Sequence, residues 1–372
     1  MENRETEILY TIALTQIPTV GHITAKKLIA VCGNAEVLFK EPAKNLSALG
    51  INSNTVQSIV SMKSTALDAA YREMDFIQKN EITVFLSKDK AYPERLTRCP
   101  DSPVILYGKG HLDLNPKHSV AVVGTRKFTT YGIQATKKII EELASYKNIQ
   151  IISGLAAGID TVAHQTALQH DLSTVAVLGH GLQTLYPVGN KKLAKAMLAQ
   201  GGLVTEFTST VVGEPHNFPR RNRIIAGMSD AVLVAEAYEK GGALITANIA
   251  FSYARDVFTL PARIGDKSSE GCNNLIKRNI AALITSGEDI IKMMMWDNKS
   301  DKTKPRQTQL MLDMNTDEQL IINTLEEKKQ LNIDELMIAT GLSTTILNTT
   351  LLNMEFRGLI SCLPGKRYIL TI

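Results

Sequence analysis

The segment HNFPRRNRIIAG, His216 to Gly227, sets Arg220, Arg221 and Arg223 within four positions, with Asn222 among them. Phe218 and Pro219 precede the cluster and the apolar pair Ile224–Ile225 follows it. A guanidinium is a planar, permanently charged fork that meets phosphate oxygens two at a time. An aromatic ring beside such forks is the composition of a single-stranded nucleic-acid site, where bases stack while phosphates are neutralised. For Phe218 two readings stand, a base-stacking platform or the anchor of its loop. For the arginines the plain alternative is a solvated face laced with salt bridges.

Other segments add to the same chemistry. VVGTR ends an apolar run with Gly124, Thr125 and Arg126; ISGLAAGID brings Ser153 and Gly154; VLGHGL brings Gly179 and Gly181; EAYEKGGALITA brings Lys240, Gly241 and Gly242. Glycines bare backbone N–H groups, and a helix start adds partial positive charge. Together these residues describe a phosphate-binding rim. After VAVVG the dinucleotide pattern fails, because its glycine positions read Gly124, Arg126 and Thr129, so a nicotinamide cofactor is disfavoured. No Walker motif supports ATP hydrolysis, and no cofactor is expected. Candidate general bases are His164, His180, Asp160, Glu206 and Glu236, but no spacing pairs them. Asp160 reads as a first-turn carboxylate of a helix, His164 as a packed histidine, and His180 as a phosphate-facing donor.

These residues need elements to hold them. From Ser119, short β-branched apolar runs alternate with helical stretches: SVAVVG, IQIISG, STVAVLG, AVLVAEA, DVFTLP and AALIT are strands. Continuous apolar strands between helices signal a mostly parallel sheet covered on both faces, an α/β Rossmann-like doubly wound domain over 113–296. Its first strand should be central, with Arg126 at the middle of the carboxyl edge. Residues 1–65 read as a small helical domain. Within it, LTQIPTVGHITAKKLIAVCG is similar to a helix-hairpin-helix (or SAM-like) unit whose first turn glycine is replaced by Thr19. Residues 66–112 read as a connector, 297–309 as a polar linker, and 310–372 as three helices and a hairpin, a winged helix.

Composition sets outer bounds. The chain has 372 residues, 44% of them hydrophobic, and a net charge of +4, too mild to decide a partner. No apolar run reaches the twenty or so residues that span a membrane, and the N-terminus lacks a signal-peptide core. Cys32, Cys99, Cys272 and Cys362 lie far apart, so neither zinc nor a disulfide framework is expected, and a cytoplasmic setting fits.

The long segments AVVGTRKFTTYG, ISGLAAGIDTVAHQTAL, VAVLGHGLQTLYPVGN, HNFPRRNRIIAGMSDAVLVAEAYEKGGALITANIA and EGCNNLIKRNIAALITSGEDI closely resemble the bacterial DNA-processing protein A family, DprA or Smf. The resemblance covers about 82–296 and, more loosely, both flanking domains. It implies a non-enzymatic, homodimeric single-stranded-DNA-binding protein. Such a protein protects incoming DNA in natural transformation and loads the RecA recombinase in homologous recombination. Position by position it implies that Gly124, Thr125 and Arg126 form one DNA-binding motif and Phe218, Pro219, Arg220, Arg221, Asn222 and Arg223 another. Tyr186, Pro187, Asn190 and Lys191 follow from a third. The chain departs from the family pattern at His180 and Ala157.

Two rivals are weighed against it. A phosphoribohydrolase on the same superfold needs a glutamate shortly after a double glycine, yet no carboxylate follows Gly241–Gly242 before Asp256. A transcription regulator needs a basic recognition helix. STTILNTTLLN has no Lys or Arg, and 310–372 carries eight acidic against five basic residues, a net of −3. Lys366 and Arg367 in the wing keep a minor DNA role open.

Overall fold

The runs Val120–Val123, Ile151–Ile152 and Ala231–Ala235 are apolar without alternation, and all of them are buried. Strands of that kind need helices on both faces. The computed structural model describes residues 2–296 and 315–370, apart from 329, 358 and 364–366. It has two compact units, Met1–Ser300 and Asp301–Ile372.

The first unit opens with five helices: α1 (Glu2–Thr15), α2 (His22–Cys32), α3 (Ala35–Lys40), α4 (Ala43–Ala48) and α5 (Ser53–Lys79). Next come β1 (Thr83–Leu86), α6 (Glu94–Thr97), β2 (Ile105–Gly110), β3 (His118–Gly124), α7 (Thr130–Ala144), β4 (Ile149–Ser153) and α8 (Ile159–Gln169). They are followed by β5 (Ser173–Val177), α9 (Lys191–Met197), β6 (Gly201–Thr205), α10 (Asn217–Met228), β7 (Ala231–Glu236) and α11 (Gly242–Ser252). The unit ends with β8 (Asp256–Thr259), α12 (Glu270–Lys277), β9 (Ala282–Leu283) and α13 (Gly287–Met293).

One nine-stranded sheet runs β1-β2-β6-β5-β4-β3-β7-β8-β9. It is parallel from β6 to β9, with β2 antiparallel on β6 and β1 antiparallel on β2. On one face Ile224, Ile225, Ala243 and Ala247 of α10 and α11 pack with Val232 and Val234. On the other, Ile139 and Ile140 of α7, Ile159 of α8 and Ile290 of α13 pack with Val120 and Val122. β3 is central: β4 lies on one side of it and β7 on the other. The chain therefore diverges at the carboxyl ends of β3 and β7, which opens a crevice there.

Two boundaries and one strand differ from the sequence-based expectation. Residue 65 falls inside α5, so no domain ends there. Residues 66–112 are not a mere connector: they supply β1 and β2, and Ile82, Val84, Ile105 and Tyr107 share one core with α1–α5. β6 was not expected at all, because its sequence GGLVT opens on two glycines, which weaken a strand signal. Both glycines have a packing reason. A Cβ on Gly201 would strike the Thr174 carbonyl, and one on Gly202 the Lys109 carbonyl. The expected linker 297–309 lies outside the described residues.

The second unit has α14 (Thr316–Lys328), β10 (Gln330–Asn332), α15 (Ile333–Thr340), α16 (Thr344–Phe356), β11 (Ile360–Leu363) and β12 (Arg367–Leu370). Its three strands pair in the order β10-β12-β11, giving the three helices and hairpin of a winged helix. The expected wing residue Lys366 lies outside the described residues.

Candidate nucleic-acid interface

The crevice is a cleft of about 510 Å³. Gly124, Thr125 and Arg126 enter it from the end of β3, and Phe218, Pro219, Arg221 and Asn222 from the first turns of α10. Tyr186 comes from the long β5–α9 connection, and Gly241–Gly242 from the start of α11. Two helix N-termini thus line one cavity, and both bring partial positive charge to it.

At its mouth the Arg126 guanidinium lies over the Phe218 ring, 5.5 Å from the centroid. Phe218 in turn meets Tyr186, with ring centroids 5.7 Å apart at 40°. Arg126 and Tyr186 are exposed and Phe218 is half-buried. Phe218 is therefore both anchored and available: one side packs so closely on Gly179 that a Cβ there would lie 2.8 Å from Cδ1. Arg126, Arg220, Lys191 and Lys240 have no ion-pair partner among the described residues. Lys240 lines an adjoining hollow that shares Gly241, Gly242 and Ile245 with the cleft.

The Arg220–Arg223 cluster does not act as one group. α10 turns its members to different sides, as a 3.6-residue repeat must. Arg220 is exposed, its guanidinium 5.4 Å from the Phe207 ring centroid. Arg221 is buried at 4% exposure, beneath the cleft. Its Nη1 donates to the Gly154 carbonyl at 2.7 Å and to the Val177 carbonyl. Burial pushes its pKa down to about 10, against the pull of Asp160, so the guanidinium stays charged at neutral pH. Asp160 accepts from the amides of Gly154 and Ala156 at 3.1 and 3.4 Å. Burial holds its carboxyl above the ordinary value, opposed by Arg221. Arg223 leaves the cleft altogether. It donates to the Asp101 carbonyl at 2.7 Å and to Glu206, which also pairs with His22 of α2. Burial pushes the Glu206 carboxyl up, but His22 and Arg223 outweigh it and hold it below the ordinary range.

The expectation that all three arginines face a phosphate backbone is thus corrected for Arg223, and for Arg221 it is limited to a charge in the cleft floor. Ser153 is corrected as well: it is fully buried, and its Oγ donates to the Val122 carbonyl at 2.6 Å. Gly154 is buried, its missing Cβ leaving room for the Arg221 guanidinium. Lys191 is exposed but does not line the cleft. His180, expected to face phosphate, is buried. Its Nδ1 donates to the Gly181 carbonyl at 2.8 Å and its Nε2 accepts the Tyr186 amide at 3.1 Å, so it sets the Tyr186 backbone. Asn190 likewise ties the β5–α9 connection down, donating to the Leu155 carbonyl at 2.9 Å and to Thr161 at 2.8 Å. Glu236 is spent on the loop after β3, accepting from the Thr129 amide and hydroxyl at 2.9 and 2.8 Å. For Tyr186 spacing alone offers no signal and only the resemblance brings it in, while Gly213 and Pro215, which also line the cleft, carry no sequence signal.

The family model of DNA recombination-mediator protein A matches residues 83–295. The chain belongs to that family. A second model, the DprA winged helix domain, matches 304–366. Protein Smf of Escherichia coli K12 is 38% identical over 282 residues, 74% of each chain. DNA processing protein DprA of Streptococcus pneumoniae is 40% identical over 225 residues, 60% of this chain and 78% of that one. The solved structure of DNA processing protein A from Streptococcus pneumoniae superposes with a TM-score of 0.64 at 33% identity, covering 75% of this chain and 95% of that one. That of the Helicobacter pylori protein, described for its single-stranded DNA binding mode, gives 0.53 at 28% identity, covering 59% and 97%. The family's recombination-mediator role agrees with the function expected from the resemblance, and a phosphoribohydrolase is not favoured.

Proposed function

We propose that the chain binds single-stranded DNA along the carboxyl edge of its sheet, largely without reading sequence. In this reading it protects incoming DNA during natural transformation and delivers it, as a cytoplasmic homodimer, to the RecA recombinase. The observation that carries the binding site is the Arg126–Phe218–Tyr186 arrangement at the cleft mouth. A cation without a carboxylate partner beside two accessible rings, over two helix N-termini and a buried Arg221, suits a phosphate flanked by unpaired bases. A duplex hides its base faces and offers nothing to those rings. Family membership supports the recombinase and the dimer.

No catalysis is proposed. Asp160 is the carboxylate lining the cleft, and it is bonded to backbone amides and coupled to Arg221. Glu236 is fully buried under Thr129. Neither is free to take a proton from substrate. The test is a salt series of binding to matched single- and double-stranded oligonucleotides. Tighter binding to the single strand is expected; equal or tighter binding to the duplex overturns the reading.

A further inference from the structure

The carboxyl edge holds another hollow, about 560 Å³, between Thr129 and Tyr131 on one side and the β8–α12 loop with Arg263 and Asp266 on the other. It shares a wall with the cleft, the loop 125–129. Thr125 and Arg126 line the cleft and Thr129 lines the second hollow. Glu236 clamps both ends of this wall. The Thr125 amide donates to its carbonyl at 2.7 Å, and the Thr129 amide and hydroxyl donate to its carboxylate. Between the clamps the Lys127 amide donates to Thr125 Oγ1 at 3.0 Å, which fixes the crest. Lys127 is exposed there beside Phe128, which is 44% exposed. Tyr131 behind it is 49% exposed and donates to the Pro261 carbonyl at 3.2 Å, which ties its ring to the far wall.

The second hollow and its ridge therefore resemble the first: Arg263 and Tyr131 line the hollow, Lys127 and Phe128 stand exposed on the ridge beside it, and neither cation has an ion-pair partner among the described residues. Asp266 is its one lining carboxylate. It is held by the Ser268 amide and hydroxyl at 3.1 and 2.6 Å; Arg263 shares the lining with it, and Lys127 adds a second cation on the adjoining ridge. The ridge is short: four residue steps span at most roughly 14 Å. A flexible polyanion leaving the cleft would cross it within a few nucleotides.

We propose that loop 125–129 passes single-stranded DNA from the cleft into this hollow, with Phe128 and Lys127 on the ridge and Tyr131 and Arg263 in the hollow offering rings to bases and charge to phosphates. This rests on the binding site proposed above and extends it. The experiment measures affinity of the full chain for labelled oligothymidylates of increasing length, from a few nucleotides upward, across a salt series. Wild type should gain affinity when the strand becomes long enough to cross the ridge. Phe128→Ala and Tyr131→Ala should lose that gain, roughly 5- to 150-fold for one base stack, with the salt slope and the affinity for the shortest strands unchanged. Tyr131→Phe should retain it. Lys127→Ala and Arg263→Ala should each lower the slope by about 0.7, for long strands only.

Arg126→Ala and Phe218→Ala serve as controls that should weaken short and long strands alike. If these controls bind as wild type while Phe128→Ala does not, the cleft reading fails and the second hollow stands. The second hollow is overturned if folded Phe128→Ala and Tyr131→Ala variants keep the full length-dependence, or lose short-strand binding equally. It is also overturned if they lose binding only together with self-association, since the face would then belong to a second copy of the chain.

Discussion

At the scale of single residues, neighbouring arginines have different physics and should fail differently. Arg126 and Arg220 are exposed cations, so replacing either by alanine should weaken binding on all sequences and lower the single-strand salt slope by about 0.7. Phe218→Ala removes a ring, not a charge. It should cost about 1–3 kcal/mol of binding at an unchanged slope, read from the same titrations. Arg223→Ala should act on folding, because it strands Glu206, which is 6% exposed, with His22 as its remaining ion-pair partner. Breaking a buried pair from one side costs about 3–5 kcal/mol, which a denaturant melt resolves. A folded Arg223→Ala variant with wild-type stability and lost binding would return Arg223 to the DNA surface.

At the scale of elements, α10 is the part on which the cleft depends. Its first turns carry Phe218 and Asn222, its buried side inserts Arg221 under β4 and β5, and Arg223 pins it to the segment before β2 and, through Glu206, to α2. The helix can lie this close only because Gly154 has no side chain; a Cβ there would collide with the Arg221 guanidinium. Overpacking of that kind typically costs about 1–3 kcal/mol. Gly154→Ala should therefore lower thermal stability and, by shifting α10, weaken single-strand binding without changing the salt slope. Unchanged melting and binding together would show that α10 does not depend on this contact.

At the scale of the whole molecule, pH should report on the core beneath the site. His164 is fully buried, with Nδ1 2.7 Å from Thr174 Oγ1. The Thr174 hydroxyl donates to the Ile151 carbonyl at 3.0 Å, so it must accept from the ring, and Nε2 has no hydrogen-bond partner among the described residues. Burial, helped by Arg221, depresses the His164 pKa from 6.5 to about 3. The folded state thus holds this ring neutral where the unfolded chain protonates it. Its contribution to stability is full above about pH 6.5 and is lost as pH falls toward 3, about 1.4 kcal/mol per pH unit for one proton. Denaturant melts of wild type and His164→Leu should differ by that slope, and parallel curves would refute the assignment. The two units make a second prediction. The cleft belongs entirely to Met1–Ser300, and the winged helix is net acidic over 310–372. Deleting 298–372 should leave single-strand affinity within a few-fold of wild type (phosphate neutralisation supplies most of it), as oligonucleotide titration would show.

Much was legible in the sequence because it depends on local rules. Unbroken apolar runs between helical stretches demand a two-sided parallel sheet, and its first strand falls at the centre, where Gly124–Arg126 reach the switch point. Three helical patterns and a hairpin likewise spelled out the winged helix. What tertiary structure decided is where side chains went once the elements met. Helical phase alone separates Arg220, Arg221 and Arg223, but which side of α10 is buried depends on β4, β5 and α2, contributed from elsewhere in the chain. Glycines that read as openings for phosphate are in part steric necessities: Gly154 for Arg221, Gly179 for Phe218. β6 eluded periodicity because its two glycines answer to the carbonyls of Thr174 and Lys109 across the sheet. A sequence encodes the period of an element, whereas burial is a property of pairs of elements, and only their packing could turn three like arginines into a surface cation, a charge beneath the floor and an internal pin.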